Sequence, residues 1–557
     1  MEMRRLGIAN KPLYCLPNNV VKQFEDDFRK LYPEAKILKL TNEDLPAVPN
    51  HEVDTKDDGR KVKRNVELSE LDPKERKKIL RDRAKRNRTL ARIQTEDWDA
   101  IIMSHTLFER LPLTPETAAS TIKEQIDTME RTIKLAKGSL ETKDISNLEK
   151  KKLSLQNRLE NILHTDLADI GIPFEKLGID QIFVDEADLF KNLHYATSME
   201  RVSGLANSDA NRSNDMFAKT QWLTKQNNGR GVVFATGTPI SNTMAELFTM
   251  MRYLDMRGLK EKELDLFDNW IRTFADIGTG IERKPSGDGF RKVNKVKQFI
   301  NMADLSKMFR KFADIKTQDD IDLDLPELKG GKPTIVKIAA DPELVRYIKE
   351  DVPKRVQEMK HTKPGTKGAD NMLKLTGDLR KKSLNDDKIN ACAEKIVQKY
   401  NDTTDVKGAQ LVFCDMGVPR GVADKVTKKD MEAADLEDKL DNESTYEKLI
   451  ARLVELGIPR EQIAYAQSAK DRDELNEIFK KVDSGDVRVL IGSTQKMGAG
   501  TNCQHHLVAL HDLDAPWRPR DLEQRHGRIL RQGNQNKEVE IFNYVVQDSF
   551  DANMWEK

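Results

Sequence analysis

Short apolar runs alternate along this chain with longer stretches of helical periodicity. Leu13–Leu16, Ala100–Met103, Gln181–Val184 and Val232–Ala235 each read as a short buried strand. So do Gln410–Phe413, Ile463–Tyr465, Val487–Ile491, Leu507–Leu510 and Val539–Tyr544. Runs of about four to eight apolar residues set between helical segments predict parallel βα sheets covered on both faces. The helix expected over Asp471–Val482 illustrates the rhythm: Leu475, Ile478, Phe479 and Val482 share one stripe, and Gly485-Asp486 then turns the chain into VRVLIGS. The strands fall into two groups, before about Leu254 and after about Thr334. The expected fold class is therefore α/β: one lobe over 1–255, an interlobe connection or insertion over 256–333, and a second lobe over 334–557.

Three stretches interrupt this rhythm. Residues 60–92 carry fourteen Lys/Arg against five Asp/Glu, which predicts a basic helix, either a solvated face or a contact to a DNA backbone. Within 114–165, Ile122, Ile126, Met129 and Ile133 form one helical stripe, and Leu148, Leu155, Leu159 and Ile162 form another. Gly138-Ser139 lies between them, so an antiparallel helical hairpin is expected, a packing or partner-docking arm. The third stretch, 256–330, is mixed and runs into the acidic, proline-broken DIDLDLPELKGGKP.

Composition narrows the function classes. With a net charge of +1 in 557 residues, any affinity for nucleic acid has to come from local basic patches. The four cysteines lie far apart, which argues against a zinc site or a disulfide framework; Cys414 and Cys503 read as small core residues. No apolar run approaches the roughly 18 residues of a spanning helix, so no membrane partner and a cytoplasmic location are expected. His505-His506 reads as a surface pair and Trp517 as a residue packing the second lobe.

The sharpest local signal is Ile182-Phe183-Val184-Asp185-Glu186-Ala187-Asp188. A buried strand ending in adjacent carboxylates places them at the carboxyl edge of a parallel sheet, where open α/β folds bind ligands. Asp185 suits a Mg²⁺ ligand and Glu186 suits the group that orients and deprotonates an attacking water. An acidic helix start would look similar. About fifty residues on, VVFATGTPISN runs from an apolar strand into a hydroxyl-rich turn and a helix over Met244–Tyr253. Thr236 and Thr238 suit a hydrogen-bond relay, although Ser241 or Asn242 would equally provide a simple helix cap. Towards the C-terminus, QRHGRILRQG places Arg528 and Arg531 one helical turn apart, a spacing fit for clamping phosphate or for a salt-bridged surface. Upstream of it, STQKMGAGTN follows a strand with a glycine-bearing loop whose backbone can approach a phosphate or ribose.

In this order the motifs resemble those of superfamily-two helicases of the Swi/Snf-like group. VDEAD is similar to motif II, ATGTPISN to motif III, QLVFCD to motif IV and IGSTQKMGAGTN to motif V. DAPWRPRDLEQRHGRILRQGN resembles the group's tryptophan-proline element followed by motif VI. LYCLPNNVVKQF and WDAIIMSHTLFERL resemble motifs Ia and Ib. Within the group, MGAGTN…LDAPWRP…LEQR-x-GRILRQGNQN is similar to helicase modules of large phage and mobile-element proteins that also carry an adenine-N6 DNA methyltransferase.

The resemblance implies two RecA-like lobes with parallel sheets plus helical insertions, with ATP and Mg²⁺ as cofactors and a bacterial or phage-infected host cytoplasm as location. It implies Asp185 on the metal, Glu186 as catalytic base, Arg528 and Arg531 as arginine fingers, and Gln524, Gly498 and Gly500 beside the nucleotide. Asp188, Thr236 and Thr238 would couple nucleotide to movement. Pro17, Asn18, Ser104, His105, Asn242, Thr494 and Lys496 would contact DNA, double-stranded by preference. One departure stands out: no Gly-x-x-x-x-Gly-Lys-Ser/Thr loop occurs in the chain, and MEMRRLG resembles the end of the helix that follows that loop. A fragment truncated at both ends is expected, with autonomous ATPase activity in question. Three alternatives stand beside the DNA motor: an ATPase-inactive DNA- or partner-binding fragment of a helicase–methyltransferase protein, an RNA helicase, and a restriction-type motor subunit.

Overall fold

The computed structural model describes all residues except 48–51, 58–59, 66–71, 137–141, 164–170, 200–201, 204, 206–208, 241–242, 284–289, 318–319, 322, 362–368, 420–443, 499–501 and 557. The chain separates into two compact units, Met1–Gly280 with Val293–Asp314, and Ile281–Lys292 with Ile315–Lys557. Each is an α/β unit built on a parallel sheet with helices packed against it.

The first sheet holds β1 (Pro12–Leu16), β2 (Ile37–Lys39), β3 (Ala100–Ser104), β4 (Gln181–Val184) and β5 (Val232–Phe234), ordered β2-β3-β1-β4-β5. All neighbours run parallel; Leu13 lies opposite Ile101 on one side and Ile182 on the other. Every residue of β3 is buried, as a central parallel strand requires of a continuous apolar run. β5 lies at the sheet edge and leaves Val233 exposed, so its apolar run is less buried than expected. The helices of this unit include α1 (Val21–Leu31), α2 (Pro73–Thr95), α3 (Pro115–Ala136), α4 (Thr142–Leu163), α5 (Asn211–Gln226) and α6 (Ala245–Leu254).

α2 starts where its chemistry dictates: the Asp72 carboxylate accepts from Lys74 N at 3.1 Å and proline takes the first helical position. It buries Ile79, Leu90 and Ile93. The basic stretch is not helical throughout, however. Arg60–Asn65 is a strand paired antiparallel with Glu52–Asp57. Asp58-Gly59 between the two strands is the dipeptide signal for such a hairpin, and it outweighs the helix-favouring charge run. In the 114–165 stretch, Met129, Ile133, Leu148 and Leu155 pack together with Ala196, so the two expected stripes do meet. The Gly138-Ser139 turn lies outside the described residues.

Much of the segment expected to connect the lobes belongs to the first unit. Helix Phe267–Phe274 buries Phe267, Trp270, Ile271 and Phe274 against Phe248 and Met251 of α6. Strands Ala275–Arg283 and Phe290–Phe299 form a three-stranded sheet with Val202–Ser203. An aromatic stripe of this weight needs a core to bury in, which a bare linker lacks.

The second sheet holds β6 (Thr334–Ile338), β7 (Ala409–Phe413), β8 (Ile463–Tyr465), β9 (Val489–Gly492), β10 (Leu507–Asp512) and β11 (Glu538–Val546), ordered β6-β11-β10-β7-β9-β8 and parallel throughout. Its helices include α7 (Asp386–Asp402), α8 (Thr445–Glu455), α9 (Arg472–Asp483) and α10 (Pro519–His526). A reciprocal cap between Ser444 and Glu447 starts α8, and Asp471 caps α9. All four cysteines are buried thiols. Trp517, expected to pack the second lobe, is 50% exposed and lies against Phe550, with ring centres 6.3 Å apart, and the Arg380 guanidinium, 4.7 Å from its ring centre. Among the described residues, no helix is long and apolar enough to cross a membrane.

Candidate nucleotide and nucleic-acid site

β4 delivers two acids to the carboxyl edge of the first sheet. Asp185 N donates to Cys15 O at 3.0 Å, continuing the pairing with β1. Glu186 then turns the chain with a left-handed backbone (φ 49°), and Ala187 N donates to Ala235 O at 3.0 Å. Left-handed backbone at a non-glycine residue is strained by roughly 1–3 kcal/mol and gathers at functional sites. Asp185 is half-buried, burial raises its carboxyl pKa, and it has no cationic partner among the described residues. A hard divalent cation with oxygen ligands would satisfy such a carboxylate, so the residues present fit Mg²⁺.

Asp188 sits on the short helical turn Ala187–Phe190 and is 1% exposed. Its Oδ1 accepts from Thr236 Oγ1 at 3.1 Å, and Thr236 Oγ1 in turn accepts from Thr238 N at 3.1 Å. The acidic turn after β4 and the hydroxyl turn after β5 are thus joined by a direct hydrogen-bond relay. The helix beyond starts at Ala245, one residue later than expected, and Thr243 Oγ1 accepts from Ala245 N at 3.0 Å, a role the sequence had offered to Ser241 or Asn242. Both of those residues lie outside the described set, as does Gly500.

Two expected DNA contacts are buried instead. Ser104 is 4% exposed, and its Oγ accepts from Leu107 N to cap a helical turn. His105 is 6% exposed, and its Nε2 lies 2.9 Å from Asp185 O. Burial pulls this imidazole down to about 4, so it is neutral near pH 7 and donates from Nε2 to the carbonyl. Its place is beneath the acidic turn, holding the Asp185 backbone. Pro17 and Asn18, just past β1, do reach the surface, Asn18 being exposed.

In the second unit, the carboxyl ends of β7 and β10 meet in a buried charge cluster. Arg525 is fully buried on α10; its Nη1 is 2.9 Å from Asp512 Oδ1, and its Nη2 is 3.0 Å from Asp514 and 2.8 Å from Asp415. Its Nε donates to Thr494 Oγ1 at 2.8 Å, and Thr494 Oγ1 donates to Asp415 Oδ2 at 2.9 Å. His526 Nε2 approaches the second Asp512 oxygen at 2.8 Å. Burial alone would lower the Arg525 guanidinium, but Asp514, Asp512 and Asp415 outweigh it and leave its pKa raised. Burial pushes the Asp514 carboxyl up, with Arg525 opposing. The Thr494 hydroxyl, expected to contact DNA, is thus bonded within the protein to Arg525 and Asp415. Gly498 closes the short helix Thr494–Met497, and a Cβ there would lie 2.2 Å from Thr494 O, so glycine is required for packing at this point.

α10 ends at His526, with Gly527 as its cap. Arg528 and Arg531 lie beyond it in turns, not one helical turn apart on a common helix face. Both are half-buried; Arg528 Nε donates to Gln524 O at 3.4 Å, and burial lowers the Arg531 pKa. Gln524 faces the Arg520 guanidinium. Arg525 is the residue that motif reading missed: adjacent to the expected fingers in sequence, it holds together three stretches of chain. His505 pairs with Asp483 at the surface.

Two family models match the chain, one described as a probable helicase domain over residues 74–317 and one as the helicase conserved C-terminal domain over residues 438–533. Together the two matches take in more than half of the chain, which belongs to the helicases. The first match contains the acidic turn and its relay to Thr236, and the second contains Thr494 and Arg525. The helicase is 24% identical over 246 residues to the defense against restriction protein B of Escherichia phage P1. That match covers 42% of the helicase chain and 10% of the phage protein, so the chain spans about a tenth of its relative's length. Among solved structures, it is similar to the SWI2/SNF2 ATPase core of Sulfolobus solfataricus in complex with dsDNA (14% identity, 98% of this chain, 79% of that one, TM-score 0.28). A second is the C-terminal part of the Fun30 ATPase domain (18% identity, 31% of this chain, 46% of that one, TM-score 0.22). At those TM-scores neither superposition adds to the assignment. The family is one of ATP-hydrolysing helicases.

Proposed function

We propose that this chain forms the working part of a DNA translocase that couples ATP hydrolysis to movement along duplex DNA. The observation that carries the reading is the strained acidic turn at the sheet edge, with Asp188 bonded to Thr236. Asp185 would hold the Mg²⁺ of a bound nucleotide, and Glu186 would take the proton of the attacking water. Thr236, bonded to the acidic turn, passes the state of that turn to the segment leading into α6. By the family resemblance Arg528 and Arg531 would offer positive charge to phosphate, and the Arg525 cluster fixes the backbone that leads into them. Asn18 and Lys496 contact DNA phosphates, so binding falls with salt and depends little on sequence. The methyltransferase linkage and a part in protecting phage DNA from restriction, suggested by the relative's name, belong to this same proposal.

One sequence fact favours a second reading: the chain holds no Gly-Lys-Ser/Thr phosphate loop, and without one it would bind DNA or a partner and hydrolyse nothing. ATP hydrolysis measured with duplex DNA, and separately with RNA, on this chain and on the same chain preceded by a phosphate-loop segment separates the readings. Duplex-stimulated hydrolysis in the longer form, lost in Glu186→Gln, supports the motor. Stimulation by RNA alone makes it an RNA helicase, and no hydrolysis in either form leaves a binding module.

A further inference from the structure

A second site lies in the first unit, away from the acidic turn. α2, α3, α4, α5 and the segment before α3 enclose a cavity of about 340 Å³. Its walls are half apolar, with Leu113, Ala118, Ile122 and Ile162 among them, and half polar, including two guanidinium groups, Arg86 and Arg158. Neither arginine has a carboxylate partner among the described residues. Arg86 donates one nitrogen to Arg110 O, while its Nε is buried without any hydrogen-bond partner. Burial depresses the Arg86 pKa, and the charges of Arg110 and Arg83 depress it further, so cations crowd together here. Among the described residues the acid in the wall is Asp215, which is matched by the buried Lys219 at 2.6 Å, and that pair contributes no net charge.

A buried guanidinium with an idle donor beside other cations is costly unless an anion completes it. The volume lies in the range of small-ligand pockets. No aromatic ring lines the cavity, so it offers no platform on which a nucleic-acid base could stack. We propose that this cavity binds a small organic anion, with one carboxylate or phosphate held by Arg86 and Arg158 and an aliphatic or aryl body against Leu113, Ile122 and Ile162. Occupancy would tie the α3 and α4 hairpin to α2 and α5. α5 also carries Ser213, whose carbonyl accepts from Tyr253 Oη of α6 at 2.8 Å, so the ligand would stiffen the helices behind the acidic turn.

The test is calorimetric titration of the full chain with octanoate, 4-phenylbutyrate and phenyl phosphate, with 4-phenylbutanol as the uncharged control. The expected result is saturable one-to-one binding of at least one anion and about tenfold weaker binding of the alcohol, the scale of one charge-assisted contact. Arg158→Ala should weaken the anion about tenfold, and Ala118→Phe, which fills the cavity, should abolish binding. Unchanged thermal unfolding of both variants shows that they fold. No saturable binding of any of the three anions overturns the proposal, as does binding that both variants leave intact. If a DNA duplex displaces the anion and Arg158→Ala weakens the duplex equally, the arginines serve a nucleic-acid backbone and the proposal fails.

Discussion

Each parallel sheet presents acids at its carboxyl edge, and the two sets are treated in opposite ways. After β4, Asp185 stands half-buried with no cation beside it among the described residues, on a backbone forced into the left-handed region one residue later. After β7 and β10, Asp415, Asp512 and Asp514 converge on one buried guanidinium within 3.0 Å. The positions in the fold are equivalent, so topology does not make the difference. What differs is the supply of positive charge: Arg525 bonds all three acids of the second cluster from within, whereas Asp185 has no cationic partner among the described residues. On the function proposed above, the comparison separates an edge used as scaffold from an edge kept for a metal and its nucleotide.

Breaking the scaffold should have the largest effect. Arg525→Ala leaves the buried Asp512 and Asp514 and the partly exposed Asp415 without their guanidinium and should cost about 3–5 kcal/mol of stability; a urea midpoint shift reads it, and a shift below about 1 kcal/mol would mean that Arg525 does not hold the cluster together. Thr236→Val removes the hydroxyl between Asp188 and Thr238 and should cost about 1.5–3 kcal/mol, since the lost bond is to a carboxylate. Duplex-stimulated turnover should fall more than basal turnover, and equal losses would deny the relay a coupling role.

His511 sharpens the contrast by pH. Burial pulls its imidazole down to about 3, between Tyr544 Oη and Gln410 Oε1. In the unfolded chain it titrates near 6.5, so the unfolded state binds the proton first. Its contribution is complete above that pH and is lost as pH falls towards the folded value. Unfolding free energy should drop by about 1 kcal/mol from this group between pH 7 and 5.5, and His511→Gln should remove that share of the slope. The smallest effect is expected at the ready edge: Asp185→Asn should leave stability within about 0.5 kcal/mol of wild type, shifted if anything upward, because an unpaired, half-buried charge is removed. A loss of several kcal/mol would show that Asp185 has a structural cation after all.

The two edges were not equally legible. Asp185 and Glu186 follow a continuous apolar run on adjacent residues, so sequence alone placed them. Thr236 was legible as well, because a strand leads directly into its hydroxyl-rich turn. The Arg525 cluster draws its acids from positions 415, 512 and 514, and only the sheet order brings β7 beside β10; no spacing within one segment signals it. Arg528 and Arg531 were placed on a helix by their spacing, but Gly527 caps α10 before either is reached. Ser104 and His105 look like surface residues after a strand, and their burial follows from the His105 bond to a carbonyl distant in sequence. β6 escaped notice because, at the sheet edge, it leaves Ile335 exposed and lacks the unbroken buried run of a central strand.

The central claim is that the edge after β4 is kept for chemistry rather than for folding. Glu186→Gln tests it most directly, with duplex-stimulated ATP hydrolysis and urea unfolding measured on the same preparations of the chain joined to a phosphate-loop segment. The account predicts a turnover loss of about a hundredfold or more with an unchanged unfolding midpoint. Turnover that survives the substitution, or is lost only in step with stability, would contradict it.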